Sequence, residues 1–403
     1  MWAPGRVNLI GEHIDYHGLP VLPMALRRRV QVTYRPRADR RVVADSASYG
    51  RREFEWVAGL TPVMRGDWEN YLRAAAQAVG GKWGVLRGLE ATVLSDLPAA
   101  AGLSSSSALL VAVTLALLES NGVTASFEEL MGILPDGEQF VGTRGGGMDH
   151  AAALGSKAGC ATLVEFAPVA VRHIPVPRDW LFLVAHSLQT AEKSGAAREE
   201  YNLRRAAGDT ALARLGLRSY REALESDFTA EALRRREENT KSIPESAEEA
   251  EVAEGGLTPG GRSSRPEILA ARLDAGPQRD SFLHTTSEAL RVRAAVDAME
   301  RGDCEAFGRL LTESHASLRD RLRVSSPALD GLVDAAMESG AAGARLTGAG
   351  FGGCAVVLCL AGDAASVRRG IIDRFYAGRR EFDESRHLID AVPGAGALHP
   401  ETQ

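Results

Sequence analysis

The sequence predicts a two-domain protein of mixed helices and strands. Three observations carry that prediction. The chain has 403 residues, more than one compact hydrophobic core organises. It is 45% hydrophobic and 25% charged, the balance of an ordinary globular protein. Segments of period two interleave with segments of helical period along the chain.

The elements follow in order. Residues 1–35 open on a turn-rich polar motif and then alternate. Val30, Val32 and Tyr34 share one face and Gln31 and Thr33 the other, as in a strand. Trp68, Tyr71, Leu72 and Ala75 fall at helical spacing and predict a helix over 68–79. Residues 90–96 (EATVLSD) read as a strand that runs through Pro98 into a serine run. From Ser105 to Leu118 the chain is apolar nearly all round, as in a buried helix, and Asn121-Gly122 ends it. A glycine triplet at 145–147 precedes Met148-Asp149-His150, and strands are predicted over 160–166 and 180–185. Helical patterning runs from 198 to about 236. Residues 237–279 are rich in Glu, Ala, Ser, Gly and Pro, which predicts a mobile surface insertion. Helical patterning resumes near Ser281 and continues to Gly340. A third glycine cluster, 343–353, then leads into a strand over 354–360. No internal repeat is present.

Composition excludes several function classes. Lys+Arg is 47 against 53 Asp+Glu, a net charge of -6, which disfavours general nucleic-acid or anionic-membrane binding. Only Lys82, Lys157, Lys193 and Lys241 are lysines, so chemistry needing a lysine has few candidates. The four cysteines (Cys160, Cys304, Cys354 and Cys359) form no CxxC pair and lie at no zinc-ligand spacing. Reduced thiols in a cytoplasmic protein are expected. The N-terminus lacks a signal-peptide core, and the longest apolar run, 108–118, is too short to span a bilayer.

Four motifs carry chemistry. Residues 98–108, PAAAGLSSSSA, lie between a strand and a buried helix. Backbone N–H groups, the helix N-terminus and serine hydroxyls there suit a phosphate chain; a serine N-cap on a core helix is the alternative. No GxxxxGK[ST] sequence occurs. In residues 6–17, RVNLIGEHIDYH, Glu12, His13, Asp15 and Tyr16 crowd beside Arg6. Such a cluster suits a polyol, with a salt-bridged solvated loop or a Glu12/His13/His17 metal site as alternatives. In GGGMDH, one carboxylate, Asp149, follows glycines that allow close approach. Near Arg6 it would form a base with its charge partner; otherwise it is an N-cap. Residues 347–353 hold four glycines, a ligand loop or a tight hairpin turn. Together the four suggest phosphoryl transfer to a sugar hydroxyl.

These residues resemble the galactokinases, members of the GHMP small-molecule kinase superfamily. Residues 3–18 (APGRVNLIGEHIDYHG) are similar to the galactokinase signature, 97–108 to the phosphate loop and 343–354 to the third motif. FGRLLTESHASLRD and VSSPALDGLV match as well, and the likeness covers nearly the whole chain except 237–279. The resemblance implies two α+β domains, about 1–178 and 179–403, with the active site in the cleft between them. The first would be ribosomal-protein-S5-domain-2-like and the second a ferredoxin-like α/β sandwich. It implies Asp149 and Arg6 as catalytic residues. Glu12, His13, Asp15, Gly146 and Tyr201 would contact sugar. Gly102, Leu103, Ser104, Ser105, Ser106, Ser107, Gly348 and Gly350 would line the nucleotide, with Trp68 and Tyr71 near the adenine. Ser106 and Glu138 would hold Mg²⁺.

The implied activity is ATP-dependent phosphorylation of the anomeric hydroxyl of galactose, by a monomer or alternatively a dimer. Two features depart from the family pattern: His150 stands where glutamine is usual, and EHIDYH where EHTDYN is. The chain also begins almost on the signature, which a short segment normally precedes. The GTRGGGMD stretch is closer to the branch holding N-acetylgalactosamine kinase and fungal galactokinases. The alternatives are a kinase for N-acetylgalactosamine, galactosamine or arabinose, a mevalonate- or homoserine-type kinase, and a non-catalytic sensor of galactose and ATP.

Overall fold

The structure, a computed structural model, describes residues 1–98, 102–142, 145–189, 196–224 and 264–399. The first half is built on a five-stranded sheet of order β1-β2-β5-β3-β4. Its strands are β1 (Trp2–Ile10), β2 (Leu22–Pro36), β3 (Arg41–Ser46), β4 (Gly50–Glu55) and β5 (Leu89–Ser95). All neighbours are antiparallel except β3 and β5. Helices α1 (Glu69–Trp83) and α2 (Ser105–Ser120) pack together, and α2 lies against β1 and β2. The apolar run predicted as a buried helix is α2: Leu110, Val111, Leu117 and Leu118 are all buried. The short helices α3 (Phe127–Met131), α4 (Leu134–Phe140) and α5 (Met148–Gly155) follow, then the hairpin of β6 (Cys160–Glu165) and β7 (Ala170–Pro175).

The second sheet has order β11-β8-β10-β9, from β8 (Trp180–His186), β9 (Gly343–Thr347), β10 (Cys354–Leu360) and β11 (Leu388–Asp390). In β8 and β10 both faces are covered, so the strands read as continuous apolar runs. Phe182, Val184, Val356 and Leu358 enter the main core; Leu183, Ala185, Val357 and Cys359 enter a second core on the other face. Helices α6 (Ala196–Leu215), α7 (Tyr220–Leu224), α8 (Arg265–Ala270), α9 (Pro277–Arg301), α10 (Cys304–Ser317) and α11 (Pro327–Glu338) precede β9. The last residues return to the first half. Gly394 N donates to Ala25 O at 2.8 Å, and the backbone of 396–398 bonds to Ala153, Leu154 and Ser156.

Three readings of the sequence are corrected. The polar opening motif is mostly strand: β1 is buried along all but its first residue, so no alternation marks it. Residues 343–347, read as part of the third glycine cluster, form β9. Of the expected insertion, 237–263 lie outside the described residues, as do 225–236 of the predicted helix. Residues 264–279 are not a surface insertion. Ser264 and Glu267 form a capping box on α8, Leu269, Ala270 and Leu273 are buried, and α9 begins at Pro277. All four cysteines are free. Among the described residues no helix is long and apolar enough to cross a membrane.

Candidate active site

Asp149 sits in the first turn of α5, after Gly147 in the left-handed region at φ 99°. Arg6, from the middle of β1, meets it. Arg6 Nε donates to Asp149 Oδ1 at 2.8 Å and Nη2 lies 2.6 Å from the same oxygen. Arg6 Nη1 donates to Gly102 O at 2.7 Å. The Ser104 hydroxyl donates to Asp149 Oδ2, and Ser107 Oγ reaches it at 3.4 Å. The carboxylate is thus fixed in direction by an arginine and the Ser104 hydroxyl. Its side chain keeps 13% of its exposure, enough to meet a ligand.

The polar cluster after β1 joins this site at Asp15. Gly146 N donates to Asp15 Oδ2 at 3.0 Å. A Cβ on Gly146 would stand 2.3–2.5 Å from the Asp15 and Tyr16 backbone, so only glycine fits the approach. Burial, and then the charge of Asp149, push the Asp15 carboxyl up to about 6. Both ring nitrogens of His13 are occupied. Nε2 donates to Ala349 O at 3.1 Å, which leaves Nδ1 to accept from the Tyr16 hydroxyl at 3.0 Å. Burial lowers its pKa to about 3, so the ring is neutral. Tyr201, on α6, packs its ring against His13 and Tyr16. His17 turns away from Glu12 and His13 to Asp209, 3.4 Å from Nδ1, and no Glu12/His13/His17 metal site forms.

Glu12 is 2% exposed and fully engaged by protein donors. Asn8 Nδ2 donates to Oε2 at 2.6 Å, and Arg345 Nη2 pairs with the same oxygen. Gly348 N donates to Oε1 at 2.7 Å and Thr347 Oγ1 at 3.3 Å. Burial pushes this carboxyl up, against the pull of Arg345. Arg345 also donates from Nη1 to Leu9 O at 2.9 Å. Helix α9 supports the same turn from behind. Gly11 N donates to Glu288 Oε1 at 2.9 Å, and His284 Nε2 donates to Glu12 O at 3.0 Å. Burial opposes ionisation of Glu288, yet Arg291, His284 and Arg345 together hold it down to about 2.

Arg345, His284 and Glu288 are missing from the sequence-based candidates. Two signals could have found them. Arg345 stands between Ala344 and Leu346 in a buried strand, and a charge there demands a buried partner. His284 and Glu288 are four apart on one helix face.

The serine run lies beside Asp149. Ser104 takes the left-handed conformation at φ 56° and its carbonyl accepts from Ala108 N, so α2 starts at Ser105. The N–H groups of that first turn have no intrahelical acceptor and form an anion seat. Residues 99–101 lie outside the described residues. Leu103 serves the site only through its backbone: its side chain is buried and its carbonyl accepts from Arg6 N at 3.1 Å. The third glycine loop abuts the run, since a Cβ on Gly348 would lie 3.3 Å from Gly102 O. Gly350 instead packs against Val324 O. Glu138, on α4, accepts from the Ser107 hydroxyl. Tyr71 hydrogen-bonds Ser106; burial and then the charge of Glu138 raise its pKa. Trp68 sits at the start of α1, buried, with its ring facing Tyr49 at 6.4 Å. Its Nε1 has no partner among the described residues.

Family models match the chain in three places. The galactokinase galactose-binding signature matches residues 1–36, the GHMP kinases N terminal domain 70–157 and the GHMP kinases C terminal 295–377. A galactokinase of Roseiflexus sp. is 33% identical over 381 residues, 93% of this chain and 86% of that protein. A galactokinase of Chloroflexus aggregans is 36% identical over 358 residues, 88% of this chain and 82% of that one. The crystal structure of Lactococcus lactis galactokinase complexed with galactose superposes with a TM-score of 0.77 at 26% identity, covering 98% of this chain and 93% of that one. The chain belongs to the galactokinase family of GHMP kinases.

Proposed function

We propose that the protein transfers the γ-phosphoryl group of ATP to the anomeric hydroxyl of galactose, with Mg²⁺. One observation carries this reading: the Asp149 carboxylate is held by Arg6 and Ser104 at the N-terminus of α2, where a triphosphate and a hydroxyl acceptor can be brought together. In this reading Asp149 accepts or orients the C1 hydroxyl proton. Arg6 keeps Asp149 ionised and offsets charge on the γ-phosphate. The free amides of 104–107 take the remaining phosphate oxygens. Asp15 accepts from sugar hydroxyls, and Tyr201 walls the sugar side. Glu12 and His13 contribute chiefly by fixing the signature turn to the third glycine loop, since their polar atoms are already partnered.

The donor set near Asp149 fits Mg²⁺. Glu138 and the serine hydroxyls are hard oxygen ligands, and Mg²⁺ needs only one or two carboxylates when phosphates and waters complete its shell. Among the described residues no cluster of three or more His, Cys, Asp or Glu could hold a metal. Ser106 and Glu138 would hold the ion, which would neutralise phosphate charge.

The test is ADP release across a panel of galactose, N-acetylgalactosamine, galactosamine, arabinose, mevalonate and homoserine, with Mg²⁺. Galactose-dependent ADP release above all others is expected. Turnover of another acceptor in its place, or binding of galactose without ADP release, overturns the reading.

The Asp15 carboxyl adds a pH prediction. With its pKa raised to about 6, it is charged above that pH and protonated below it. A hydroxyl donor is accepted better by the charged form. Galactose KM should therefore be flat above pH 7 and rise as pH falls through 6. The rise should vanish in Asp15→Asn. A KM that is flat to pH 5 in the parent protein counts against Asp15 as a sugar acceptor.

A further inference from the structure

Among the described residues His150 is the histidine whose two ring nitrogens are both buried without a hydrogen-bond partner. The residue is 0% exposed. A neutral imidazole carries one N–H donor and one acceptor, and each left unmade in a dry interior costs about 1–3 kcal/mol. Such a cost, one position from Asp149, calls for a reason. The neighbour that supplies one is Glu138, whose Oε1 lies 4.0 Å from His150 Nε2. That oxygen already accepts from the Ser107 hydroxyl. The other oxygen, Oε2, lies 3.0 Å from where a Cβ on Gly145 would stand, so the absence of a side chain there leaves it room.

We propose that His150 is the positioning residue for Glu138. Its Nε2–H donates to the Glu138 carboxylate when nucleotide and Mg²⁺ are bound. Closing the gap to hydrogen-bond length needs a movement of about 1 Å, and catalytic hydrogen bonds commonly tighten only in the loaded complex. Three groups would then share the carboxylate: the Ser107 hydroxyl, His150 and the cation. His150 acts as an N–H donor and touches neither sugar nor phosphate. Its part is that of the partners that orient metal-ligating carboxylates from behind, and removing such partners typically weakens metal affinity by about 10–100-fold.

This inference rests on the reading of Glu138 as a Mg²⁺ ligand, and the experiment separates the two. Mn²⁺ binding to the protein with ADP is measured by electron paramagnetic resonance for the parent chain, His150→Leu, His150→Gln and Glu138→Gln. Galactose binding and the thermal midpoint are measured on the same samples. Expected is weakening of Mn²⁺ affinity by about 10–100-fold in H150L, with affinity near the parent value in H150Q, which keeps an N–H donor. Galactose affinity should be the same in all four. If E138Q binds Mn²⁺ as the parent does, the metal reading of Glu138 itself fails. If E138Q loses Mn²⁺ but H150L does not, the role of His150 alone fails. H150Q as weak as H150L also overturns it, because the donor would then not be what matters. Galactose affinity falling together with Mn²⁺ affinity in H150L points to general loss of packing and overturns it as well.

Discussion

Asp149→Asn should lower turnover by about 10²–10⁴-fold, the usual worth of a positioned acid–base group. Galactose binding should survive. The amide keeps the size of the side chain, so α5 and the contact with Ser104 persist, but the pair with Arg6 loses its negative member. Arg6 is 4% exposed and keeps Gly102 O as an acceptor, so it stays in place and the site does not collapse. In the proposed mechanism what disappears is the acceptor for the hydroxyl proton. Steady-state ADP release and calorimetric galactose titration of the same preparation decide the matter. Turnover within ten-fold of the parent would remove Asp149 from the chemistry.

Arg345→Met should be the most costly single change for stability outside the apolar core. The side chain is 0% exposed and pairs with the 2%-exposed Glu12. Deleting one partner of a buried ion pair typically costs about 3–5 kcal/mol, because the other is left uncompensated. The loss should also acquire a pH dependence of known sign. Burial already raises the Glu12 carboxyl, and without Arg345 it must go higher still. A carboxyl whose pKa is higher folded than unfolded binds its proton more tightly in the folded state. Stability then falls as pH rises from the unfolded to the folded pKa. The deficit of R345M should therefore be smaller at pH 5 than at pH 8 in urea titrations, and Glu12→Gln added to it should recover part of the loss at pH 8. A deficit equal at both pH values would mean that Glu12 is not what Arg345 compensates.

The elements read best from the sequence are those whose residues are apolar along the buried face, or throughout where every face is buried. Strands β5 and β10 and helices α1 and α2 lie within a few residues of their predicted bounds. Strand β1 is not legible because it is buried along both faces yet carries Pro4, Gly5, Arg6 and Asn8, so it shows neither the alternation of a half-buried strand nor the apolar run of β10. Residues 264–279 were misread because composition outweighed a local signal, the Ser264–Glu267 capping box. At the site, motif chemistry left the pairing of Arg6 and Asp149 conditional and the resemblance implied both as catalytic residues; the two lie 143 residues apart in sequence. The partners of Glu12 were not legible. A sugar-type cluster in sequence gives no hint that its first carboxylate is taken up by an arginine 333 residues further on, because that pairing exists only once β9 lies beside β1.

The return of residues 392–398 to the first half bears on how the protein is made. The Leu26–Pro393 bridge and the bonds from 394–398 to Ala25, Ala153, Leu154 and Ser156 close the edge of β2 and the end of α5. During synthesis those surfaces emerge long before the segment that covers them. The helix that carries Asp149 therefore stays open at its far end until residues 396–398 have left the ribosome. Nascent chains must keep these surfaces soluble until residues 392–398 emerge, a period in which exposed edges attract chaperones or other nascent chains. A chain broken off before residue 392, however well its first sheet has folded, lacks the strap that covers these surfaces.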